Sequence, residues 1–212
     1  MSLILGAIGA IAAAAVTVSE ALAVVGLAVQ GLKVIGNAIA SIAKALGHIQ
    51  PGRDVEEIGD RALQAEEAGM TCDKYASYEA WVHELEKDDW GYDPEKNKDM
   101  APEKKILKGV EVSTAVTMEQ FPEFPLEDFY SLAGGNQDFF SLERMDEIGK
   151  LASTDRDAFG TVVNYVTGSV TDHATIDAAT DILMDIEKTI EPGLSDDMAY
   201  DRVSLYKDLK KD

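Results

Sequence analysis

The residues that could do chemistry are few and scattered. His48, His83 and His173 are the three histidines. Each could ligate zinc or move a proton, yet none has a second His or Cys at metal-ligand spacing. His83 is followed by Glu84, but position 87, where an H-E-x-x-H helix carries its second ligand, is Lys. All three are expected at the surface. Cys72 is the one cysteine, so an internal disulfide is excluded, and it reads as a small, partly buried packing residue.

Carboxylates are the abundant reactive type, at 39 Asp and Glu, so pairs of them arise from composition and solvated helix faces explain them. A calcium loop needs oxygen ligands at alternate positions around a central Gly. Counting from Asp155 gives Asp157 and Gly160 in register, but Phe159 and Val166 fall where ligands belong. Counting from Asp93 puts Lys98 at the Gly position and Lys104 at the Glu position. Gly134-Gly135 lacks the Lys and Ser or Thr that complete a phosphate-cradling loop. No local motif groups Ser, His and Asp. The expectation is a protein that is not an enzyme and carries no cofactor or metal.

The elements that must position these side chains are helices, and no strand pattern persists. Asp54 caps a helix ending near Gly69, and Ser77 opens a short one that presents Tyr78, Trp81, Val82 and Leu85 on one face. Residues 87–98 are polar and turn-rich and read as an exposed linker. Pro102 starts a helix reaching about Met118. Pro125 can open a short helix ending at Gly134-Gly135. Further helices are predicted over 141–152, 154–167, 172–190 and 195–210, the second opened by Thr154 and Asp157 at capping-box spacing. Phe121, Phe124, Phe129, Tyr130, Phe139 and Phe140 are the expected core of this half.

Ahead of them lies a different kind of sequence. Residues 3–18 (LILGAIGAIAAAAVTV) carry no charge, and residues 1–49 hold only Glu20, Lys33 and Lys44 against a whole-chain net charge of −20. Nearly all the acid is therefore in the remainder, which would be repelled by nucleic-acid phosphates. Lys104, Lys105 and Lys108 are too few to reverse that, being flanked by Glu103 and Glu111. No basic region precedes the apolar run, so a secretory signal is not expected, and location is bounded only as cytoplasmic or within a virion-like or membrane-associated assembly.

Within the apolar run Gly6 and Ala10, and Gly9 and Ala13, form small-xxx-small pairs that let two helix backbones approach closely. A second helix, with Ser19 as its cap, is predicted to reach Leu46 and close at Gly47. Gln30, Lys33, Asn37, Ser41, Lys44 and His48 fall at spacings of 3 and 4 residues, a single polar stripe. Val25, Ala28, Val29, Leu32, Ile35, Ile39, Ile42 and Leu46 make a wide apolar face.

The composition therefore predicts an all-α protein in three parts: an apolar hairpin over 1–49, short helices over 50–92 and an acidic helical domain over 93–212. An acidic body has little apolar surface with which to cover two such helices, so the face calls for another cover. The leading expectation is a structural or assembly protein whose hairpin is buried by copies of itself or by partner subunits. The alternative is a membrane-active protein, resembling a holin, a bacteriocin or an injected phage protein, whose helices insert in or lie on a bilayer. A helix with such a stripe can lie in a membrane interface, line a polar lumen as one of several copies, or pack in a protein bundle with its stripe in water.

Overall fold

A helix whose apolar residues recur at three- and four-residue spacing must bury that side against something. In a computed structural model of the chain, residues 29–122, 124–126, 129, 130, 132 and 139–206 are described, apart from the side chain of Gln30. All their regular structure is helical: α1 (Val29–Ala45), α2 (Val55–Glu67), α3 (Tyr78–Leu85), α4 (Pro102–Gln120), α5 (Leu142–Thr154), α6 (Arg156–Val166), α7 (His173–Ile190) and α8 (Asp196–Tyr206), with one 3₁₀ turn at Cys72–Lys74.

Local chemistry sets the ends. The Asp54 carboxylate accepts from the Glu57 amide at 2.9 Å, Ser77 Oγ from Ala80 at 3.0 Å and Asp172 from Thr175 at 2.9 Å. Gly47, at φ +81°, closes α1 while the His48 amide donates back to the Ala43 carbonyl at 3.1 Å. One start differs from expectation. Thr154 belongs to the end of α5, where its hydroxyl donates to the Lys150 carbonyl at 2.8 Å, and Asp155 caps α6 by accepting from Ala158 at 3.0 Å. Aspartate is the better acceptor for free amides, so the register moves by one.

The core has two parts sharing a wall. Leu32, Ile35, Ala38, Ile39 and Ile42 of α1 join Ile106 and Val110 of α4, the aromatic group from Phe124 to Phe140, and residues of α5 to α8. On the other side Ala40, Ala43 and Ile49 meet Ile58, Ala62 and Ala65 of α2, Trp81 and Leu85 of α3, and Val112 and Val116 of α4. Each of Ile35, Ile39 and Ile42 is fully buried, a gain of about 1.5–3 kcal/mol apiece. The helix is thus a central strut of the body.

The expected boundaries at 49 and 92 coincide with no break in packing. Helix α1 feeds both core clusters across the first. At the second, the segment expected to be an exposed linker is tied to α2. Asp60 accepts from Tyr92 at 3.1 Å, Asn97 at 2.6 Å and Gln64 at 3.1 Å, and Arg61 stacks on the Tyr92 ring at 4.2 Å. Most of the segment is exposed, as its polar composition predicts, but Tyr92 and Asn97 anchor it to the buried side chains of α2.

Candidate functional site

The polar stripe of α1 and the cleft at its C-terminal end bring together the charged and titratable side chains nearest the apolar segment. Lys33 Nζ lies 2.8 Å from Asp54 and 3.4 Å from Glu56. Asn37 Oδ1 accepts from the Val55 amide at 2.9 Å. Ser41 Oγ donates to Asp146 of α5 at 2.5 Å, at a crossing where a side chain on Gly149 would meet the Ser41 carbonyl. His48 Nδ1 stands 3.7 Å from Glu79 and its side chain is only 10% exposed, which corrects its expected surface position; His83 and His173 are exposed. From Lys33 to Ser41 the stripe therefore meets acids and amides of its own chain, with Lys33 and Asn37 still part-exposed at its edge. The Asp54 hydrogen bond, helped by the charges of Asp54 and Glu56, holds the Lys33 ammonium above the usual lysine range against the opposing effect of burial.

The apolar face needs the same correction. Leu32, Ile35, Ile39 and Ile42 are covered by the chain's own helices, and Val29 and Leu46 are partly buried against the same core. The acidic composition hid how much apolar surface α4 to α8 offer α1. Gly6, Gly9, Ala10, Ala13, Val25, Ala28 and the side chain of Gln30 lie outside the described residues.

Lys44 behaves differently from the rest of the stripe. It projects where two grooves meet, one of about 470 Å³ toward α5 and one of about 880 Å³ toward the α3–α4 segment, and it lines both, as does Pro51. Burial lowers its pKa, and the charges of Asp146 and Asp54 offset this only in part. Ser41, by contrast, is 1% exposed and committed to Asp146, so its hydroxyl is out of reach of a substrate. Cys72 packs against the smaller core cluster, and burial raises its thiol above the usual range, a poor nucleophile. Among the described residues no group of three His, Cys, Asp or Glu side chains is placed to hold a metal ion.

A second buried network went unread in the sequence. Glu187 of α7, with a side chain 1% exposed, accepts from Arg144 Nε at 2.6 Å and from the Tyr206 hydroxyl at 3.0 Å, with Arg202 at 3.4 Å. Arg144 also donates to the Phe139 carbonyl at 2.6 Å. The network ties α5, α7 and α8 together. Its sequence signal was position: Glu187 follows Ala179 and Leu183 at spacings of four, on the apolar side of α7.

Compared with protein families, curated proteins and solved structures, the chain matches none.

Proposed function

We propose that this chain is a non-enzymatic assembly component, an acidic helical body that carries the apolar residues 1–28 into contact with copies of itself or with partner subunits. One contrast supports the reading. The body uses the apolar face of α1 for its own core, and the large hydrophobic side chains it exposes among the described residues are Leu142, Met198, Tyr200 and Leu205. Residues 3–18 carry no charge at all. Such a run gains most against other apolar surface, and its small-xxx-small pairs favour another helix as the contact. The acidic bodies, repelling one another, stay on the outside of the assembly.

The test is light scattering or mass photometry of the full chain without detergent, alongside Gly9→Leu and Ala13→Leu. A defined oligomer that shrinks in either variant is expected, because a larger side chain overpacks a close helix contact. A monomeric full chain, or an oligomer indifferent to both substitutions, refutes the proposal. Aggregates that disperse only on adding lipid vesicles assign the segment to a bilayer instead; no described helix is long and apolar enough to cross a membrane.

A further inference from the structure

Partly buried lysines in this body are held by carboxylates. Lys33 sits on Asp54 at 2.8 Å, Lys105 on Glu56 at 3.0 Å, Lys108 on Glu66 at 2.6 Å and Lys188 on Asp196 at 2.7 Å. Lys44 is the exception among the described residues: half-buried, with no carboxylate at ion-pair distance. An ammonium in that setting loses hydration with no carboxylate in contact to replace it, and the more distant charges of Asp146 and Asp54 offset only part of that loss, which shifts the balance toward the neutral amine.

The groups around it are already engaged. On the α5 side Asp146 accepts from Ser41 at 2.5 Å and Glu147 pairs with Lys150, leaving exposed Glu143. Across Pro51, Glu86 holds Arg53 at 2.8 Å, Asp88 holds Arg61 at 2.8 Å and Lys87 pairs with Glu84. Exposed Asp89, His83, and His48 beside Glu79 complete that side. Of the three amines lining the grooves, Lys87 and Lys150 are exposed and paired, and Lys44 alone is half-buried without a carboxylate at ion-pair distance, flanked by volume for a small organic molecule.

We infer that Lys44 is a nucleophilic amine and that the two grooves meeting at it accept a small aldehyde or ketone, held there as an imine. The Nζ lone pair attacks the carbonyl carbon, and the carbonyl π pair moves to oxygen, which takes one proton from nitrogen. The carbinolamine then loses that oxygen as water, with the second nitrogen proton, as the C=N bond forms. No oxidant or reductant enters, and Glu143 and Asp146 line the same groove as groups able to relay the protons. The site lies on the body and does not depend on the proposal for residues 1–28.

The full-length protein is treated with limiting formaldehyde and cyanoborohydride from pH 6 to 9, and methylation is located by mass spectrometry. Exposed Lys98 and Lys104 are the internal references. Lys44 is expected to label severalfold faster than both below pH 8, its advantage shrinking as the references deprotonate. Asp146→Asn removes a charge that favours the ammonium, and should move the Lys44 profile to lower pH. Benzaldehyde with the same reductant should leave its adduct chiefly at Lys44. Labelling of Lys44 no faster than the references at every pH overturns the amine, and a benzaldehyde adduct spread evenly over exposed lysines overturns the grooves as a binding site.

Discussion

At Glu187 a single carboxylate holds three helices, and its environment decides how it titrates. Burial alone would raise its pKa, but the Arg144 hydrogen bond and charge, with Tyr206 and Arg202, outweigh that and hold it below the usual carboxylate range. Tyr206 responds in the opposite sense, pushed up to about 12 by burial. A carboxylate whose folded pKa is depressed adds stability that is full above its unfolded value, about 4.3, and is lost as pH falls through the lower folded value. The thermal stability of the native chain should therefore fall as pH drops below about 4.5. Glu187→Gln removes the buried carboxylate that Arg144, Arg202 and Tyr206 share and should cost about 3–5 kcal/mol at pH 7, with a flatter acid limb. Equal slopes in the two proteins below pH 4.5 would show that the acid loss comes from other carboxylates. The residue was legible only as a polar intruder on an apolar stripe, because its partners come from positions 43 residues upstream and 15 and 19 downstream.

At the scale of elements, helix identities and ends were largely readable, since caps such as Asp54, Ser77 and Asp172 act within three residues of themselves. How helices meet was not, because close approach depends on which two small residues face each other. A Cβ added to Gly59 of α2 would lie 1.7 Å from the Lys105 carbonyl oxygen, and one on Gly109 of α4 would lie 1.9 Å from that of Val55. Those clashes are with backbone, so a side chain can enter only if the helices part. Gly59→Ala should destabilise the body by about 1–3 kcal/mol or more, read as a lower denaturation midpoint in urea. Gly160, inside α6, has nothing within 4 Å of its Cβ position. There Ala replaces a flexible residue at no steric cost, so Gly160→Ala should raise stability by roughly 0.5–1 kcal/mol. A midpoint unmoved by Gly59→Ala would mean that α2 and α4 are not packed this closely.

Over the whole molecule, the sequence showed the contrast between an apolar start and an acidic remainder, but not where that contrast falls in space. A stripe such as Lys33, Asn37 and Ser41 looks the same whether it faces water, lipid head groups or the acids of its own chain. Here it faces Asp54, the Val55 amide and Asp146, so the stretch from residue 29 to 49 already belongs to the folded body. That placement sharpens the expectation for assembly. If residues 1–28 hold copies together while bodies of net charge near −20 stand around them, association works against electrostatic repulsion. Added salt shortens the Debye length from about 30 Å at 0.01 M to about 3 Å at 1 M and strengthens apolar contact little by comparison. The oligomer of the full chain, followed by analytical ultracentrifugation, should therefore tighten as sodium chloride rises from low to high concentration. Dissociation on adding salt would mean that opposite charges join the subunits, and the apolar segment would then lose its role as the assembling element.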